Sequence, residues 1–221
     1  MARKWSKLNP MQANQQIFIA RFTIALQQNA EEFDVELTTP AIERLQNYYA
    51  LILKWNERLH LVGPCSPEEF ATRHVLESLL LLRHLPTNAS VADIGSGAGL
   101  PIVPCLIARP DIRATLVESS QKKAVFLREA LRAVSAPESA QVAAARFEEI
   151  DAPVVEFITS RALDRFTEIL PRLVDWAPPA STFLIYGGEA LGEKLRSLFS
   201  ESRAERIPQS DRRFLIVARK R

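Results

Sequence analysis

The sequence predicts an α/β fold in which a mostly parallel, seven-stranded sheet ends in an antiparallel last strand. Short apolar runs alternate with amphipathic helical segments from about residue 90 onward, which is the pattern of βα units with helices on both faces of a sheet. A glycine-rich turn follows the first of these runs. Only a few residues separate the last two runs. A connection that short forms a hairpin, so we expect the last strand to run against the others.

The composition is that of a globular protein with room for one α/β domain and a small appendage. The chain has 221 residues, of which 47% are hydrophobic and 24% charged. We find no apolar run of the ~20 residues that a membrane span requires and no secretory signal. Cys65 and Cys105 lie far apart and without a CxxC pattern, which favours a reducing compartment and excludes an iron–sulfur or structural zinc site. We therefore expect a cytoplasmic protein without a metal.

Residues 1–34 are predicted to be an N-terminal extension, and residues 35–85 a helical appendage. In the extension, apolar residues recur at a weak helical spacing, which indicates a loosely attached helix; they are Ile17, Phe18, Phe22 and Leu26. In the appendage, Thr39 is the predicted N-cap of a helix that contains Pro40 and continues to about Arg58. A second helix is predicted from the Ser66-x-x-Glu69 capping box to about His84.

Residues 86–221 form the predicted sheet domain. The strands are predicted at residues 91–95, 114–118, 141–145, 154–160, 182–187, 204–208 and 214–219. The helices between them are predicted up to about residue 108 and at residues 120–134, 164–174 and 189–199.

The glycine-rich turn is the best candidate for a ligand site. Gly95, Gly97 and Gly99 follow the first strand and precede a helix, where backbone N–H groups and the helix dipole can meet a ligand. Glu118 ends the next strand, 23 residues after Gly95. A carboxylate at this place can accept hydrogen bonds from the hydroxyls of a ribose.

The spacing of the glycines distinguishes between two nucleoside cofactors. The dinucleotide motif G-x-G-x-x-G would place its third glycine at position 100, which is Leu100. The sequence instead has G-x-G-x-G with Asp93 two residues before it, which looks like the S-adenosylmethionine motif of Rossmann-like class I methyltransferases. A dinucleotide site and a glycine-rich turn without a ligand are the alternatives.

Several segments resemble the bacterial 16S rRNA guanine-N7 methyltransferase family, formerly called glucose-inhibited division protein B. The resemblance covers about residues 33–221 and rests on segments in the same order and spacing: KWNERLHLVG (54–63), RHVLESL (73–79), DIGSGAGLPIVPCLIARP (93–110), LVESSQKKAVFLRE (116–129), ARFEEI (145–150) and SRAL (160–163). It implies methylation of guanine N7 in small-subunit rRNA with S-adenosylmethionine as the cofactor, which residues 86–221 would bind.

The resemblance also implies roles for individual residues. Gly95 and Leu100 would contact the cofactor in the glycine loop, and Glu118 would hold the ribose. Phe147 and Glu148 would flank the adenine, and Arg161 would face the cofactor or the target. From its place in the sequence alone, Phe147 at a strand end is more often a core residue.

The sequence departs from the family pattern at two places. Ile102 follows Pro101 where the family usually has glycine, and Tyr186 precedes Gly187 where the family commonly has lysine. The missing lysine removes a plausible phosphate contact. Tyr186 could stack on a base or belong to the core.

The reaction that the resemblance implies needs no general base. Guanine N7 carries a lone pair and no proton, so catalysis by proximity and fixed dipoles is expected and no catalytic residue is predicted. The histidines are His60, His74 and His84, all before the sheet domain. We expect His74 to be a capping or surface residue.

Both ends of the sequence are basic, which favours a polyanionic partner. We expect 16S rRNA or the small ribosomal subunit, bound by a monomer. The candidate phosphate contacts are Arg3, Lys4, Lys7, Arg206, Arg212 and Arg213. Two alternatives are a methyltransferase acting on another RNA or a small molecule, and a non-catalytic RNA-binding module that retains the fold.

Overall fold

A seven-stranded sheet with the order β3-β2-β1-β4-β5-β7-β6 forms the centre of the molecule. We describe it from a computed structural model, for residues 10–161 and 166–220. The strands are β1 Ser90–Ile94, β2 Arg113–Val117, β3 Ala140–Ala143, β4 Phe157–Ser160, β5 Thr182–Gly187, β6 Ser202–Arg206 and β7 Phe214–Arg219.

The strand directions confirm the predicted fold class. β1 pairs in parallel with β2 and β4, and β5 pairs in parallel with β4. β7 is antiparallel to both of its neighbours, β5 and β6, so the predicted hairpin and antiparallel last strand are correct. Because Phe214 at the start of β7 pairs with Gly187 at the end of β5, the β6–β7 turn lies at the carboxyl edge of the parallel strands.

The predicted strand bounds are correct where an apolar run ends sharply and wrong elsewhere. β5 and β7 have the predicted bounds. The predicted start of β4 at residue 154 is wrong, since Val154 is 98% exposed and the strand begins at Phe157. β6 begins two residues before its predicted start, at Ser202.

Helices cover both faces of the sheet, as predicted. They are α5 Ile102–Ala108, α6 Gln121–Ala133, α7 Phe166–Trp176 and α8 Glu189–Leu198. Side chains of successive strand residues point to opposite faces, so Leu184 joins one core and its neighbours Phe183 and Ile185 join the other.

The N-terminal helix α1 (Pro10–Asn29) packs firmly against the following helices. Phe22 and Leu26 are fully buried. The ring of Phe22 stacks on Tyr49 with the centroids 4.6 Å apart and lies 5.9 Å from Phe70. The helix is therefore correctly predicted, but its predicted loose attachment is wrong.

Helix α2 (Thr39–Leu59) begins one residue earlier than predicted. Its N-cap is Thr38, whose hydroxyl accepts a hydrogen bond from the Ala41 N–H at 3.3 Å, so the assignment of the cap to Thr39 is wrong. The helix ends at Leu59 and is capped by His60, which has a left-handed backbone with φ of 47°.

The segment 67–84, called the irregular helix below, changes its hydrogen-bond spacing along its length. It consists of α3 (Pro67–Glu69), a π-helical turn (Phe70–Leu76), α4 (Glu77–Leu79) and a 3₁₀ turn (Leu80–His84). The predicted capping box is present, because Ser66 and Glu69 exchange backbone–side-chain hydrogen bonds of 3.0 and 3.1 Å. The predicted helix to about His84 is present, but it is not a single α-helix.

The helices before residue 85 share a core with the sheet. One cluster of buried side chains runs from Phe22 in α1 through Leu45 in α2 to Leu116 in β2. The division into segments 1–34, 35–85 and 86–221 stays a prediction. No helix within residues 10–161 and 166–220 is long and apolar enough to cross a membrane.

Candidate functional site

The glycine-rich loop between β1 and α5 lies at the carboxyl edge of the sheet. Gly95, Gly97 and Gly99 have φ angles of 71°, 52° and 86°, in the region that only glycine adopts at little cost. The N–H groups of Gly95 and Ser96 donate to the carbonyl of Val117 at 2.9 and 3.2 Å. The loop is therefore tied to the end of β2 by its own backbone.

Gly97 and Gly99 are needed for different reasons. A Cβ atom on Gly99 would lie 2.6 Å from Cγ2 of Val103, so this glycine allows the loop to pack on α5. A Cβ atom on Gly97 would have only the carbonyl oxygen of Gly95 nearby, at 3.7 Å. Gly97 therefore leaves open space beside the loop, where a ligand could approach the backbone.

Glu118 connects the glycine loop to the turn after β2. One carboxylate oxygen accepts the N–H of Gly97 at 2.8 Å, and the other accepts the N–H of Ser120 at 2.7 Å. The residue is only 6% exposed. Each carboxylate oxygen has a second lone pair, so Glu118 can hold the loop and still accept hydrogen bonds from a ligand.

Asp93 in β1 carries a buried carboxyl group without a partner. The residue is 1% exposed, and neither carboxyl oxygen has a hydrogen bond within the part of the chain that the structure describes. Burial raises the pKa of Asp93 to about 8. An unpaired buried carboxyl group is costly, so a hydrogen-bond donor that reached it would stabilise the site.

A cavity of about 150 Å³ lies between the ends of β1 and β2, the turn after β3, and α7. It is lined in part by Gly95, Phe147 and Glu148. Phe147 begins a 3₁₀ turn and packs edge-on against Trp176, with the ring centroids 5.5 Å apart. Glu148 forms an ion pair with Arg172 at 3.3 Å. Phe147 is therefore both a core residue and a wall of the cavity.

Two residues with implied cofactor contacts lie elsewhere. Leu100 is buried and packs in the core that contains the N-terminal helices. Arg161 follows β4 and pairs with Glu77 at 3.1 Å. It does not line the cavity beside Phe147. The structure therefore brings Gly95, Gly97, Glu118, Phe147 and Glu148 together, and places the Arg161 side chain against the irregular helix.

A model of a protein family matches this chain over residues 41–215. The model is described as rRNA small subunit methyltransferase G. The chain belongs to this family. The family predicted from the sequence is thereby confirmed, and it is a family of rRNA methyltransferases.

Individual proteins of this family are similar to the chain over most of their length. The ribosomal RNA small subunit methyltransferase G of Halorhodospira halophila is 34% identical over 173 residues, which cover 78% of this chain and 82% of the relative. The protein of that name in Xanthomonas oryzae pv. oryzae is 35% identical over 198 residues, which cover 86% and 91%.

Solved structures of other methyltransferases share the fold. The tRNA (m1A58) methyltransferase TrmI from Aquifex aeolicus has a TM-score of 0.53 at 12% identity and covers 66% of this chain and 68% of its own. TYW2 from M. jannaschii, in complex with AdoMet, has a TM-score of 0.54 at 11% identity and covers 66% and 74%. The predicted Rossmann-like class I methyltransferase fold is confirmed.

One departure from the family pattern is now explained by packing. Tyr186 is buried, and its hydroxyl donates to the carbonyl of Glu77 at 2.7 Å. Of the two alternatives for Tyr186, the core position is confirmed. Ile102, the other departure, is fully buried at the start of α5.

The predicted environment of His74 is wrong. Its ring is half-buried against Phe70, with the centroids 5.3 Å apart. Burial, followed by the charges of Arg161 and other arginines, lowers the pKa of His74 to about 3. An imidazole of this kind is neutral at physiological pH and a very weak base.

The candidate phosphate contacts differ in their surroundings. Arg206 and Arg212 are exposed, whereas Arg213 is partly buried and pairs with Glu77 at 2.7 Å. Arg3, Lys4 and Lys7 lie outside the described residues.

Tyr48 is a loop-holding residue that the sequence did not reveal. Its buried hydroxyl donates to the carbonyl of Ala98 in the glycine loop at 2.6 Å. The two residues are 50 positions apart in the sequence, so no local sequence pattern indicates this hydrogen bond.

Proposed function

We propose that this chain transfers a methyl group from S-adenosylmethionine to N7 of a guanine in 16S rRNA of the small ribosomal subunit. The observation that carries the proposal is the arrangement of Asp93, Gly97 and Glu118 at the carboxyl edge of the sheet, in a member of an rRNA methyltransferase family. Open α/β sheets bind their ligands at this edge.

The residues at this edge fit S-adenosylmethionine. Free lone pairs of Glu118 can accept the ribose hydroxyls, and the cavity beside Phe147 offers an apolar wall for the adenine. The unpartnered carboxyl group of Asp93 can receive the ammonium group of the amino-acid part, directly or through water. The open space beside Gly97 leaves room for the ligand between these groups.

The proposal gives the remaining site residues supporting roles. Gly95 and Glu148 border the cofactor with Phe147. Gly99 and Leu100 shape the loop from its core side. Arg161 borders the side of the sheet at which the target guanine enters, next to the end of β4.

The mechanism requires positioning and no proton transfer by the protein. When bound, S-adenosylmethionine supplies a methyl group on a positively charged sulfur. Guanine N7 offers a lone pair without a proton, so no side chain has to act as a general base. The chain holds the reacting atoms in line, and the loop carbonyls and carboxylates provide fixed dipoles in place of water. The low pKa of His74 agrees with this assignment.

A transfer assay tests the proposal directly. Purified protein is incubated with methyl-labelled S-adenosylmethionine and either protein-free 16S rRNA or small subunits, both lacking the modification, and the label is mapped by mass spectrometry of nucleosides. We expect 7-methylguanosine in the wild type and its loss in Glu118→Ala. Label in another nucleotide or in a small molecule would replace the proposed substrate, and no transfer at all would favour a non-catalytic binding module.

The proposal places a monomer in the cytoplasm, where ribosomal subunits are assembled. Light scattering after size-exclusion chromatography tests the oligomeric state, and we expect a mass of one chain. A stable dimer at micromolar concentration would contradict this part of the proposal.

A further inference from the structure

A groove lined by arginines lies at the carboxyl edge of the sheet, apart from the cavity beside Phe147. It has a volume of about 470 Å³. We call it the arginine groove and define it by its lining residues Arg73, Gln209, Ser210, Asp211, Arg212 and Arg213. The cofactor site described above uses none of these residues.

The groove is built from two parts of the fold that meet beyond the ends of β4 and β5. The β6–β7 turn supplies Arg212, whose carbonyl oxygen would lie 3.5 Å from a Cβ atom on Gly188, just after β5. The irregular helix supplies Arg73, whose own carbonyl accepts a hydrogen bond from Arg161, just after β4. The groove therefore lies beyond the carboxyl ends of β4 and β5, next to Arg161, at the edge where open α/β sheets bind their ligands.

One arginine of the groove is fixed by a buried carboxylate. Arg213 lies 2.7 Å from one oxygen of Glu77, and Arg161 lies 3.1 Å from the other. Glu77 is almost fully buried. It neutralises part of the charge of these two arginines and holds Arg213 as a rigid wall of the groove.

The other two arginines face solvent with little to neutralise them. The guanidinium of Arg212 has no ion pair within residues 10–161 and 166–220. Among the described residues, Arg73 forms its ion pair with Glu69, at 3.5 Å and with both side chains about half exposed. Such exposed pairs contribute little free energy. Asp211 is the acidic residue of the lining; it is exposed and lies 3.7 Å from Arg206. The solvent side of the groove is therefore positively charged.

We propose that the arginine groove binds phosphate groups of the RNA strand that flanks the target guanine, through Arg73 and Arg212. This inference rests on the proposed function. Guanidinium groups match the geometry of phosphate and bind it with two parallel hydrogen bonds. Contacts of this kind fix the position of the RNA and carry no sequence information themselves.

The salt dependence of RNA binding tests the groove. Binding of unmethylated 16S rRNA and small subunits is measured by filter binding at several salt concentrations for Arg73→Ala, Arg212→Ala and the double variant. We expect each single change to weaken binding about fivefold and to reduce the slope of log K against log salt by about 0.7–0.9. Arg73→Ala keeps the backbone carbonyl that Arg161 binds.

A matched control is Arg132→Ala. Arg132 is exposed and lies in the last turn of α6, which leads to the start of β3 at the opposite edge of the sheet. We expect its RNA affinity and salt slope to equal those of the wild type. All variants should keep the thermal midpoint and the calorimetric affinity for S-adenosylhomocysteine, because neither arginine touches the cofactor site.

Asp211→Asn provides a test in the opposite direction. Removing this carboxylate from the lining should tighten RNA binding about twofold at low salt. Partial unfolding of the variant could not produce such a gain in RNA affinity.

Two results would contradict the proposal that the arginine groove binds RNA phosphates. In the first, the double variant has the RNA affinity and the salt slope of Arg132→Ala, while the wild type still methylates guanine. The proposed function would then hold, but the groove would have no part in RNA binding. In the second, the thermal midpoint and the affinity for S-adenosylhomocysteine fall together with RNA binding, which would make these arginines structural. A wild type that transfers no methyl group to guanine would instead remove the proposed function itself.

Discussion

The guanidinium of Arg161 lies 3.1 Å from the carboxylate of Glu77, and both side chains are buried between the end of β4 and the irregular helix. The same guanidinium donates to the backbone carbonyls of Arg73 and His74 in the π-helical turn. The ring of Tyr186 lies 5.5 Å from its central carbon. Arg161 therefore fixes the irregular helix to the carboxyl edge of the sheet.

Removing Glu77 should be strongly destabilising. Glu77→Ala leaves Arg161 and Arg213 without their shared carboxylate, and we expect a loss of about 3–5 kcal/mol in the free energy of unfolding, because a buried charge loses its partner. Urea denaturation measures the loss. The control is Glu68→Ala, which breaks an exposed ion pair with Arg21 and should cost far less stability, because solvent screens an exposed pair. Equal losses in the two variants would contradict the prediction.

Tyr48→Phe should loosen the glycine loop without changing the shape of the core. The carbonyl of Ala98 loses its buried donor, which should cost about 1–3 kcal/mol and weaken binding of S-adenosylhomocysteine about fivefold to tenfold. Calorimetry and urea denaturation measure both effects.

The control for this change is Tyr49→Phe in the same helix. The hydroxyl of Tyr49 has no hydrogen bond within the described part of the chain, and its ring stacks on Phe22. We expect this variant to bind S-adenosylhomocysteine as the wild type does. A tenfold loss in both variants would show that α2 acts on the loop by another route.

The sheet could be predicted well because each strand carries its own signal. The run TFLIYG has sharp polar boundaries, and the predicted and observed bounds of β5 agree. Val154 and Val155 look equally apolar in the sequence, yet Val154 is exposed because the chain has not reached the sheet at that point. Apolar residues therefore predict that a strand exists more reliably than where it begins.

The candidate site could be predicted only where it lies at the ends of adjacent parallel strands. The positions of Gly97 and Glu118 follow from the turns after β1 and β2, and the N–H of Gly97 donates to the Glu118 carboxylate at 2.8 Å. The side-chain direction of Arg161 depends on Glu77, which is 84 residues away on a helix whose π-helical turn has no sequence signal. The same limit explains α1, whose weak apolar spacing concealed the contact between Phe22 and Phe70.

Substitutions of two loop glycines should separate packing from ligand binding. Gly99→Ala should cost about 2–4 kcal/mol in stability, since φ is 86° and the new Cβ would lie 2.6 Å from Val103. Gly97→Ala meets open space, so we expect a smaller loss of about 1–2 kcal/mol together with weaker binding of S-adenosylhomocysteine. Thermal unfolding and calorimetry give both quantities. Equal stability losses would contradict the distinction.

The stability of the ligand-free protein should fall as the pH rises through the upper neutral range. Burial raises the pKa of Asp93 from 3.8 to about 8, so the folded chain keeps a proton that the unfolded chain releases. This stabilisation is complete below the unfolded pKa and is lost as the pH rises through about 8. His74 acts in the opposite direction, because its folded pKa of about 3 lies below its ordinary 6.5, so its contribution is lost as the pH falls through that range.

The window from pH 7 to 8 therefore reports mainly on Asp93, because His74 is largely neutral there in both the folded and the unfolded chain. In this window we expect the free energy of unfolding to fall by about 1 kcal/mol per pH unit, which is less than the ~1.4 kcal/mol of a full proton because the folded Asp93 begins to ionise there; urea denaturation at half-unit steps measures the slope. Asp93→Asn should abolish the slope. A variant that retained it would assign the proton to another group.

The position of β7 inside the sheet has a consequence for biosynthesis. Residues Phe214–Arg219 fill the gap between β5 and β6, and β6 has its only partner there within the described residues. A nascent polypeptide that has emerged only as far as residue 213 therefore lacks a strand in the interior of its sheet. The backbone groups of β5 and β6 that pair with β7 are then unpaired. The enzyme that is proposed to modify ribosomes would thus complete its own sheet only after Arg219 has left the translating ribosome.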